Sequence, residues 1–194
     1  MPDAIVLLKN DHKAVEKLFK QFEKLGDGAQ KTKRQVVDQI IAELSTHAAI
    51  EEQHFYPAVR TAIPDANDDV LEGLEEHHVV KWTLSELEGM APSEERFDAK
   101  VTVLIESVRH HVEEEEGDLF PKVREAIGRK DLRALGDTME KAKGISPKRP
   151  HPKAPDTPER GNLLAGPAAA GLDAAKATAR KGVRKATGRS ASKT

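Results

Sequence analysis

The sequence predicts an all-α protein: an up-down four-helix bundle made of two repeated helical hairpins, with a short fifth helix and a disordered basic C-terminal tail. Three observations predict this fold. Apolar residues recur at spacings of three and four over four long segments. Segments rich in glycine or proline separate these four segments. A motif of histidine, glutamate and proline occurs twice along the chain.

Each of the four segments carries one apolar stripe, as is typical of a helix that packs on a protein core. Every stripe also contains a histidine. The stripes are Ile5, Leu8, His12, Val15, Phe19 and Phe22; then Val37, Ile40, Leu44, His47 and Glu51; then Val70, Leu74, His77, Leu84 and Leu87; and finally Val101, Leu104, Val108, His111 and Glu115. The breaks between helices are expected at Gly26 and Gly28, at 64–69 and at 89–93.

Two prolines fall late in the second and fourth helices. Pro57 and Pro121 should end or kink these helices, because proline lacks a backbone N–H and its ring disturbs the preceding turn. A short helical extension is expected beyond each proline. A short fifth helix is expected near residues 131–141.

Charge divides the chain into two parts. Residues 141–194 hold 13 Lys and Arg but 3 Asp and Glu, whereas residues 1–140 have an acidic excess. We therefore predict a bundle domain over 1–143 and a proline-rich linker with an Ala/Lys/Arg-rich disordered tail over 144–194, with transient helix over 168–186. No signal peptide or membrane span is recognised, and cysteine is absent, so a cytoplasmic protein is expected.

The two halves of the bundle are related by an internal repeat. The segment HAAIEEQHFYP, residues 47–57, aligns with HVEEEEGDLFP, residues 111–121, at an offset of 64 without a gap. His12 and His77 of the preceding helices differ by 65. Each half therefore has one helix with a single histidine on its apolar stripe and one helix with HxxxE on its stripe, and we expect two symmetric half-sites: His12, His47 and Glu51, and His77, His111 and Glu115.

This pattern predicts a site for two metal ions. Six ionisable side chains on core-facing stripes would each cost several kcal/mol to bury without partners, and a bound cation removes that cost. Residues four apart lie on one helix face, so each HxxxE pair can direct a nitrogen and an oxygen at one point. Such ligands suit iron, manganese or zinc, and the lack of cysteine excludes a thiolate site.

Other histidines allow alternatives. His78 and His110 point about 100° away from the stripe and are expected at the surface or beside the ligands. His54, whose repeat equivalent is Asp118, is either an outer contact or an extra ligand. A ferritin-like di-iron bundle would use Glu-x-x-His pairs, which occur at 51–54 and 75–78. These two pairs are not repeat equivalents, so we rank that alternative below the six-residue site.

The six residues resemble the hemerythrin-like HHE cation-binding family, whose pattern H…HxxxE…H…HxxxE covers about residues 3–127 here. The resemblance implies a non-haem di-iron centre, two iron ions bridged by the two glutamates. It also implies a small-molecule oxidant as the partner: family members bind O2 reversibly, sense oxygen or iron, or react with peroxide or nitric oxide.

The sequence departs from the oxygen-carrier pattern in two places. Carriers have a second histidine four residues after the one in the third helix, where this chain has Lys81. Glu115 also follows His111 by four residues, where carriers use five. One metal would then have an open position, which favours chemistry with peroxide, of a catalase-like kind, or iron sensing over reversible oxygen carriage. No residue is assigned a catalytic role.

The basic tail suggests a further partner. Lys176, Arg180, Lys181, Arg184 and Lys185 cluster among alanine and glycine. Such a segment could contact DNA phosphates without sequence preference. The alternative is a tail that only improves solubility. The tail has no aromatic residue, so base stacking is not expected.

Overall fold

The computed structural model describes residues 2–153, and this part of the chain is helical with no strand. The helices are α1, Ala4–Glu23; α2, Gln30–Ile50; α3, Tyr56–Ala62; α4, Asn67–Gly89; α5, Phe97–Glu114; α6, Phe120–Ala126; and α7, Arg129–Lys143. Single π-helical turns, Glu51–Phe55 and Glu115–Leu119, join α2 to α3 and α5 to α6, and a 3-10 turn, Pro64–Ala66, precedes α4.

The four long helices form the predicted bundle. α1 packs on α2, α2 on α4, and α4 on α5. The expected fifth helix is also present as α7, which packs on α1 and α2. The contact between α7 and the N-terminus is close, because a Cβ at Gly136 would lie 2.6 Å from the carbonyl oxygen of Pro2. The predicted fold class is confirmed.

The helical path of α2 continues into α3, and that of α5 into α6, through a wider turn that lies just before each proline. The Tyr56 N–H donates to the Glu51 carbonyl, and the Phe120 N–H donates to the Glu115 carbonyl, each five residues earlier. Pro57 and Pro121 then lie near the start of α3 and α6, where a missing N–H costs little. The helical extensions were expected from sequence, whereas the π turns were not; such turns are often found at functional sites.

One boundary differs from the prediction. The third bundle helix, α4, begins at Asn67, inside the stretch 64–69 that was expected to be a connection. Pro64 begins a 3-10 turn that leads directly into this helix. Asp68 and Asp69 lie in the first turn of the helix, where their negative charges interact favourably with the positive end of the helix dipole.

Two apolar clusters fill the bundle. One surrounds the ends of α1 and α4 together with α3, α6 and α7, and its largest side chains include Leu8, Phe55 and Phe120. The other lies between the opposite halves of the four long helices and includes Phe19 and Phe97. The histidine of each long helix lies between residues of the two clusters, so a polar layer crosses the middle of the bundle.

Within residues 2–153, the last helix ends at Lys143, next to the predicted domain boundary. The predictions of a disordered tail and of transient helix over 168–186 fall outside the described residues. Among residues 2–153, no helix is long and apolar enough to cross a membrane.

Candidate metal centre

Six buried side chains converge in the polar layer between the two apolar clusters. Each is at most 6% exposed. They are His12 of α1, His47 of α2, Glu51 of the first π turn, His77 of α4, His111 of α5 and Glu115 of the second π turn. The structure therefore brings all six sequence-predicted residues into one place.

The histidines form two matching pairs. The ring centroids of His12 and His47 are 4.9 Å apart, and those of His77 and His111 are 4.8 Å apart. The Nε2 atoms of His77 and His111 face each other at 3.2 Å. Each pair joins the two histidines of one sequence half, so the internal repeat is visible in the geometry.

The glutamates lie between the pairs. Glu51 Oε2 is 3.0 Å from His47 Nε2 and 3.4 Å from His77 Nε2. Glu115 Oε2 is 3.5 Å from His12 Nε2 and 3.8 Å from His111 Nε2. The sequence-based division gave each half-site one glutamate. In the structure each carboxylate touches one histidine from each half, because both π turns begin at the level where the histidines converge.

The chemistry of the layer fits bound cations. Both oxygens of Glu51, Oε2 of Glu115 and Nε2 of His12 are buried without a hydrogen-bond partner. Ligand atoms of His12, His47, Glu51 and Glu115 lie within 4.8 Å of one another, as do those of Glu51, His77 and His111. Since buried acceptors without partners are costly, two cations that share Glu51 would satisfy the atoms that the protein leaves unpaired.

Burial and mutual charge act strongly on these groups. Burial raises the pKa of Glu51 well above its ordinary value, and the Glu115 carboxylate raises it further. Burial also acts to raise the pKa of Glu115, but His111 and His12 outweigh it and lower that pKa to about 2. Burial lowers the pKa of His47 to about 4. A neutral imidazole at His47 is the form that can bind a metal ion.

An outer carboxylate lies at the Nδ1 atom of each histidine. Glu116 is 2.9 Å from His12 Nδ1 and Glu52 is 3.1 Å from His77 Nδ1. The other two contacts are Glu76 with His111 at 2.6 Å and Asp11 with His47 at 3.8 Å. The first three carboxylates can accept from Nδ1, which fixes the tautomer with Nε2 unprotonated and able to bind metal, whereas 3.8 Å is too long for a hydrogen bond between His47 and Asp11.

The outer carboxylates follow the same internal repeat, and sequence reasoning did not assign them. Asp11 and Glu76 directly precede the histidines of α1 and α4, and Glu52 and Glu116 directly follow the two glutamates. Glu52 and Glu116 each reach across to the histidine of the other half. An acidic neighbour at all four repeat positions was the signal that could have identified them.

Glu76→Gln tests the outer contacts. We expect the variant to bind metal about tenfold more weakly, because an amide supports the His111 imidazole less strongly than a carboxylate does. Competition with a chromogenic chelator measures the affinity. Glu75→Gln, at an exposed position of the same helix, is the matched control. Equal affinities in the two variants would show that Glu76 does not support the site.

Lys81, at the position where oxygen carriers have a histidine, is buried beside the layer. Its Nζ atom is 3.0 Å from Glu52 Oε1, the oxygen that also contacts His77 Nδ1. An ammonium group cannot bind a metal ion, so Lys81 adds a positive charge beside the outer carboxylate Glu52 and does not supply a ligand. The lysine at this position is thus linked to His77 through the Glu52 carboxylate.

Tyr56 makes the two sides of the layer unequal. Its hydroxyl donates to Glu115 Oε1 at 3.0 Å, and its ring packs on His77. The repeat equivalent is Phe120, whose ring stacks on His12 and carries no hydroxyl. This contact could not be predicted from the sequence, because nothing in the local sequence shows that the hydroxyl of Tyr56 reaches the opposite half.

The remaining histidines lie away from the layer. His110 is exposed and pairs with Glu114, and His78 is partly buried and accepts from the Trp82 indole N–H at 3.0 Å. His54 is partly buried, and burial lowers its pKa. Among the described residues, neither His54 nor His78 belongs to a group with metal-ligand spacing. The ferritin-like alternative would need both.

A cleft of about 970 Å³ leads from the histidines to the surface between α1 and α5. Arg109 of α5 spans its outer side. Its guanidinium makes two contacts with Glu16 of α1, at 3.0 and 3.1 Å, and two with Glu23, at 2.7 and 3.2 Å. The cleft thus has ion-paired walls at its mouth and metal-facing histidines at its inner end.

The Arg109 contact predicts a pH dependence. The guanidinium lowers the pKa of Glu16 below its ordinary value. The ion pair therefore stabilises the fold at a pH above that ordinary pKa, and this stabilisation is lost as the pH falls through the pKa that Glu16 has in the folded chain. Glu16→Gln should therefore lower the free energy of unfolding near neutral pH but not in strong acid. Urea denaturation over this range measures it, with exposed Glu106→Gln as control. A pH-independent difference would contradict the prediction.

Helical bundles with histidines and carboxylates in their interior form a class of metal-binding proteins, and this chain has that architecture. Comparison with known families gives the same result. The model of the hemerythrin HHE cation binding domain matches residues 3–123, and the chain belongs to this family. Its bundle is a cation-binding domain, and the family resemblance found in the sequence is confirmed.

Two curated proteins and one crystal structure are similar to this chain. An uncharacterized hemerythrin-like protein of Schizosaccharomyces pombe is 25% identical over 76% of this chain and 72% of its own length. A DNA nickase of Nostoc is 28% identical over 71% of this chain but 38% of its own length. The crystal structure of a hemerythrin HHE cation binding domain-containing protein from Mycobacterium kansasii has a TM-score of 0.63, with 25% identity over 75% of this chain and 90% of that chain.

Proposed function

We propose that this chain is a cytoplasmic non-haem di-iron protein that binds, senses or reduces a small oxidant such as O2, peroxide or nitric oxide. The observation that carries the proposal is the polar layer itself. Six buried ligand residues from two repeated halves converge there, and four of their inward atoms lack a hydrogen-bond partner: both oxygens of Glu51, Oε2 of Glu115 and Nε2 of His12. Nitrogen and oxygen donors without thiolate suit iron, and manganese or zinc are the alternatives that metal analysis tests.

In this proposal the six residues hold two ions. His12 and His47 would hold one, His77 and His111 would hold the other, and Glu51 and Glu115 would be shared. The ions would supply electrons and Lewis acidity to a small oxidant. The chain itself orients the imidazoles of His12, His77 and His111 through their outer carboxylates and holds the Glu115 carboxylate through the Tyr56 hydroxyl.

The surroundings of the layer support the binding of a small uncharged oxidant. The inner wall of the cleft is formed mainly by apolar side chains, so a small molecule bound beside the histidines would be surrounded mostly by apolar groups. Lys81 fills the position of the missing carrier histidine with a side chain that cannot bind metal. One metal position therefore has fewer protein ligands than in an oxygen carrier, which favours binding of a small molecule there.

Metal analysis tests the proposal. Chain purified without oxygen and reconstituted with ferrous iron should contain about two irons, and a His47→Ala, Glu115→Ala variant should contain far less. Iron content below about one per chain, or zinc in its place, would reject the di-iron proposal. Peroxide consumption by the two proteins then separates a reactive centre from a sensing module, because a sensor would bind iron and gain stability without turnover.

Nucleic acid binding is a second candidate function, favoured by two observations. Residues 141–194 carry a large basic excess, and a relative that matches most of this chain is named a DNA nickase. In a full-length variant, glutamine would replace the basic residues Lys176, Arg180, Lys181, Arg184 and Lys185. Loss of DNA retention at low salt, with iron content unchanged, would support a role for the tail. Unchanged retention would reject it.

A further inference from the structure

The cleft between α1 and α5 is far larger than a small oxidant requires. Its volume of about 970 Å³ lies at the upper end of the range of about 300–1,000 Å³ found for sites that bind drug-sized molecules. A molecule of the size of water takes about 30 Å³ of liquid volume. The cleft therefore has room for an elongated organic molecule in addition to anything bound at the metal-facing histidines.

The wall of the cleft is apolar along its length. Phe19 comes from α1, Leu44 and Ala48 from α2, Val80 from α4, and Val108 and Val112 from α5. Val112 is partly buried and the others are buried. Burial of an aliphatic chain against such a wall contributes roughly 0.8 kcal/mol of binding free energy for each methylene group.

The mouth of the cleft is basic. Lys13, Lys17, Lys20 and Lys24 line it and follow one another at spacings of four, three and four, which places them along one face of α1. We call these four residues the lysine row. Lys20 pairs with Glu16, whereas the side chains of the other three make no hydrogen bond or ion pair with a described residue.

The acidic residues at the mouth do not cancel this charge. Glu16 is held by Arg109 and Lys20, and Glu116 is held by His12 and Lys9. The remaining acid of the lining, Glu113, is exposed on α5. Three lysine ammonium groups therefore face one unpaired carboxylate across the opening, and the mouth attracts an anion.

We propose that the cleft binds a long-chain carboxylate, with its aliphatic chain along the apolar wall and its carboxylate at the lysine row. The end of the chain then lies beside the four histidines of the polar layer. This is a proposal of binding and includes no chemical step. It goes beyond the proposed function, and it does not require metal to be bound.

Titration calorimetry of the full chain with sodium dodecanoate tests the inference. We expect saturable binding of one dodecanoate per chain, and hexanoate should bind at least about a hundredfold more weakly because it buries six fewer methylene groups. The cationic dodecyltrimethylammonium should also bind more weakly than dodecanoate, since its charge is repelled by the lysine row. Absence of saturable binding, or equal binding of the cation and the carboxylate, would overturn the proposal.

Charge reversal at the mouth provides the matched comparison. Lys13→Glu with Lys17→Glu should weaken dodecanoate binding by about tenfold or more, because two attractions become repulsions. Lys31→Glu with Lys130→Glu makes the same change in net charge at exposed lysines outside the cleft, and should leave the affinity unchanged. This pair also controls for dodecanoate held by the basic tail. Equal affinities in the two double variants would overturn the proposal.

A second variant reports on the wall without changing charge. Val112→Phe adds volume at a partly buried position of the lining and should weaken dodecanoate more than hexanoate. Circular dichroism would establish that the variant is folded, and an unchanged chain-length dependence would contradict the placement of the aliphatic chain. Iron content is measured on the same samples, so failure of the di-iron proposal and failure of this one are distinguished.

Discussion

Glu51→Met is expected to remove metal binding and, at the same time, to stabilise the metal-free chain. Glu51 is fully buried, and neither of its oxygens has a hydrogen-bond partner. It lies between His47 and His77, so its loss affects both ion positions. Methionine has a similar length and no group that needs a partner, and removing an unsatisfied buried polar group gains about 1–3 kcal/mol.

The two effects have opposite signs because Glu51 contributes to metal binding but places two unsatisfied oxygens in the metal-free fold. At a metal concentration of about 100 times the dissociation constant, the normal chain should gain about 2.7 kcal/mol of stability for each ion that it binds. The variant should gain almost nothing. Urea denaturation with chelator and with ferrous iron measures both effects in one experiment.

Glu43→Met is the matched control for this prediction. Glu43 lies on the same helix, α2, but is exposed, so its replacement should change neither metal content nor the stability gain from metal. If Glu51→Met destabilised the metal-free chain, Glu51 would have a structural role that the unpaired oxygens do not indicate. If the variant retained two ions, Glu51 would not be a ligand.

Much of the bundle could be predicted because each helix carries its own periodic signal. The stripe through Leu8, His12 and Val15 gives both the helix and the face that is buried. The repeat then relates one half to the other, which is why all six residues of the layer could be nominated without a structure. These features depend on local spacing and on duplication, and both are written directly in the sequence.

The parts that could not be predicted depend on contacts between distant residues. Which carboxylate lies between which histidines is decided by packing of the halves. Spacing alone therefore assigned each glutamate to one half-site although it touches both, and only the family resemblance implied bridging glutamates. The π turns depend on how α2 and α5 accommodate Pro57 and Pro121 within the bundle. The cleft is a gap between α1 and α5, and no single helix carries a pattern that marks a gap.

Gly73→Ala is expected to destabilise the chain, and Tyr56→Phe is expected to remove most of that cost. A Cβ at Gly73 would lie 2.9 Å from the hydroxyl of Tyr56, which is buried and held by Glu115. Such overpacking costs about 1–3 kcal/mol. In the repeat, Leu8 takes the place of Gly73 and Phe120 takes the place of Tyr56, so the small residue occurs only opposite the hydroxyl.

Without the hydroxyl, the nearest ring carbon of residue 56 would be 3.4 Å from the new Cβ, which needs only a small adjustment. Alanine is also favoured over glycine within a helix by about 0.5–1 kcal/mol. Gly73→Ala should therefore change from destabilising to neutral or stabilising when Tyr56→Phe is present. Unfolding free energies of the four proteins in this cycle measure the coupling between the two positions.

The metal-related role of Tyr56 is tested by the same variants. Tyr56→Phe removes the hydrogen bond to Glu115 and should weaken metal binding by about tenfold, with the number of ions unchanged. Gly89→Ala serves as control, since it lies at the end of the same helix with no atom near its Cβ, and it should show no coupling to Tyr56→Phe. Zero coupling at Gly73 would show that this glycine has no role in making room for the hydroxyl. Metal affinity unchanged by Tyr56→Phe would show that the hydroxyl does not support Glu115 in binding metal.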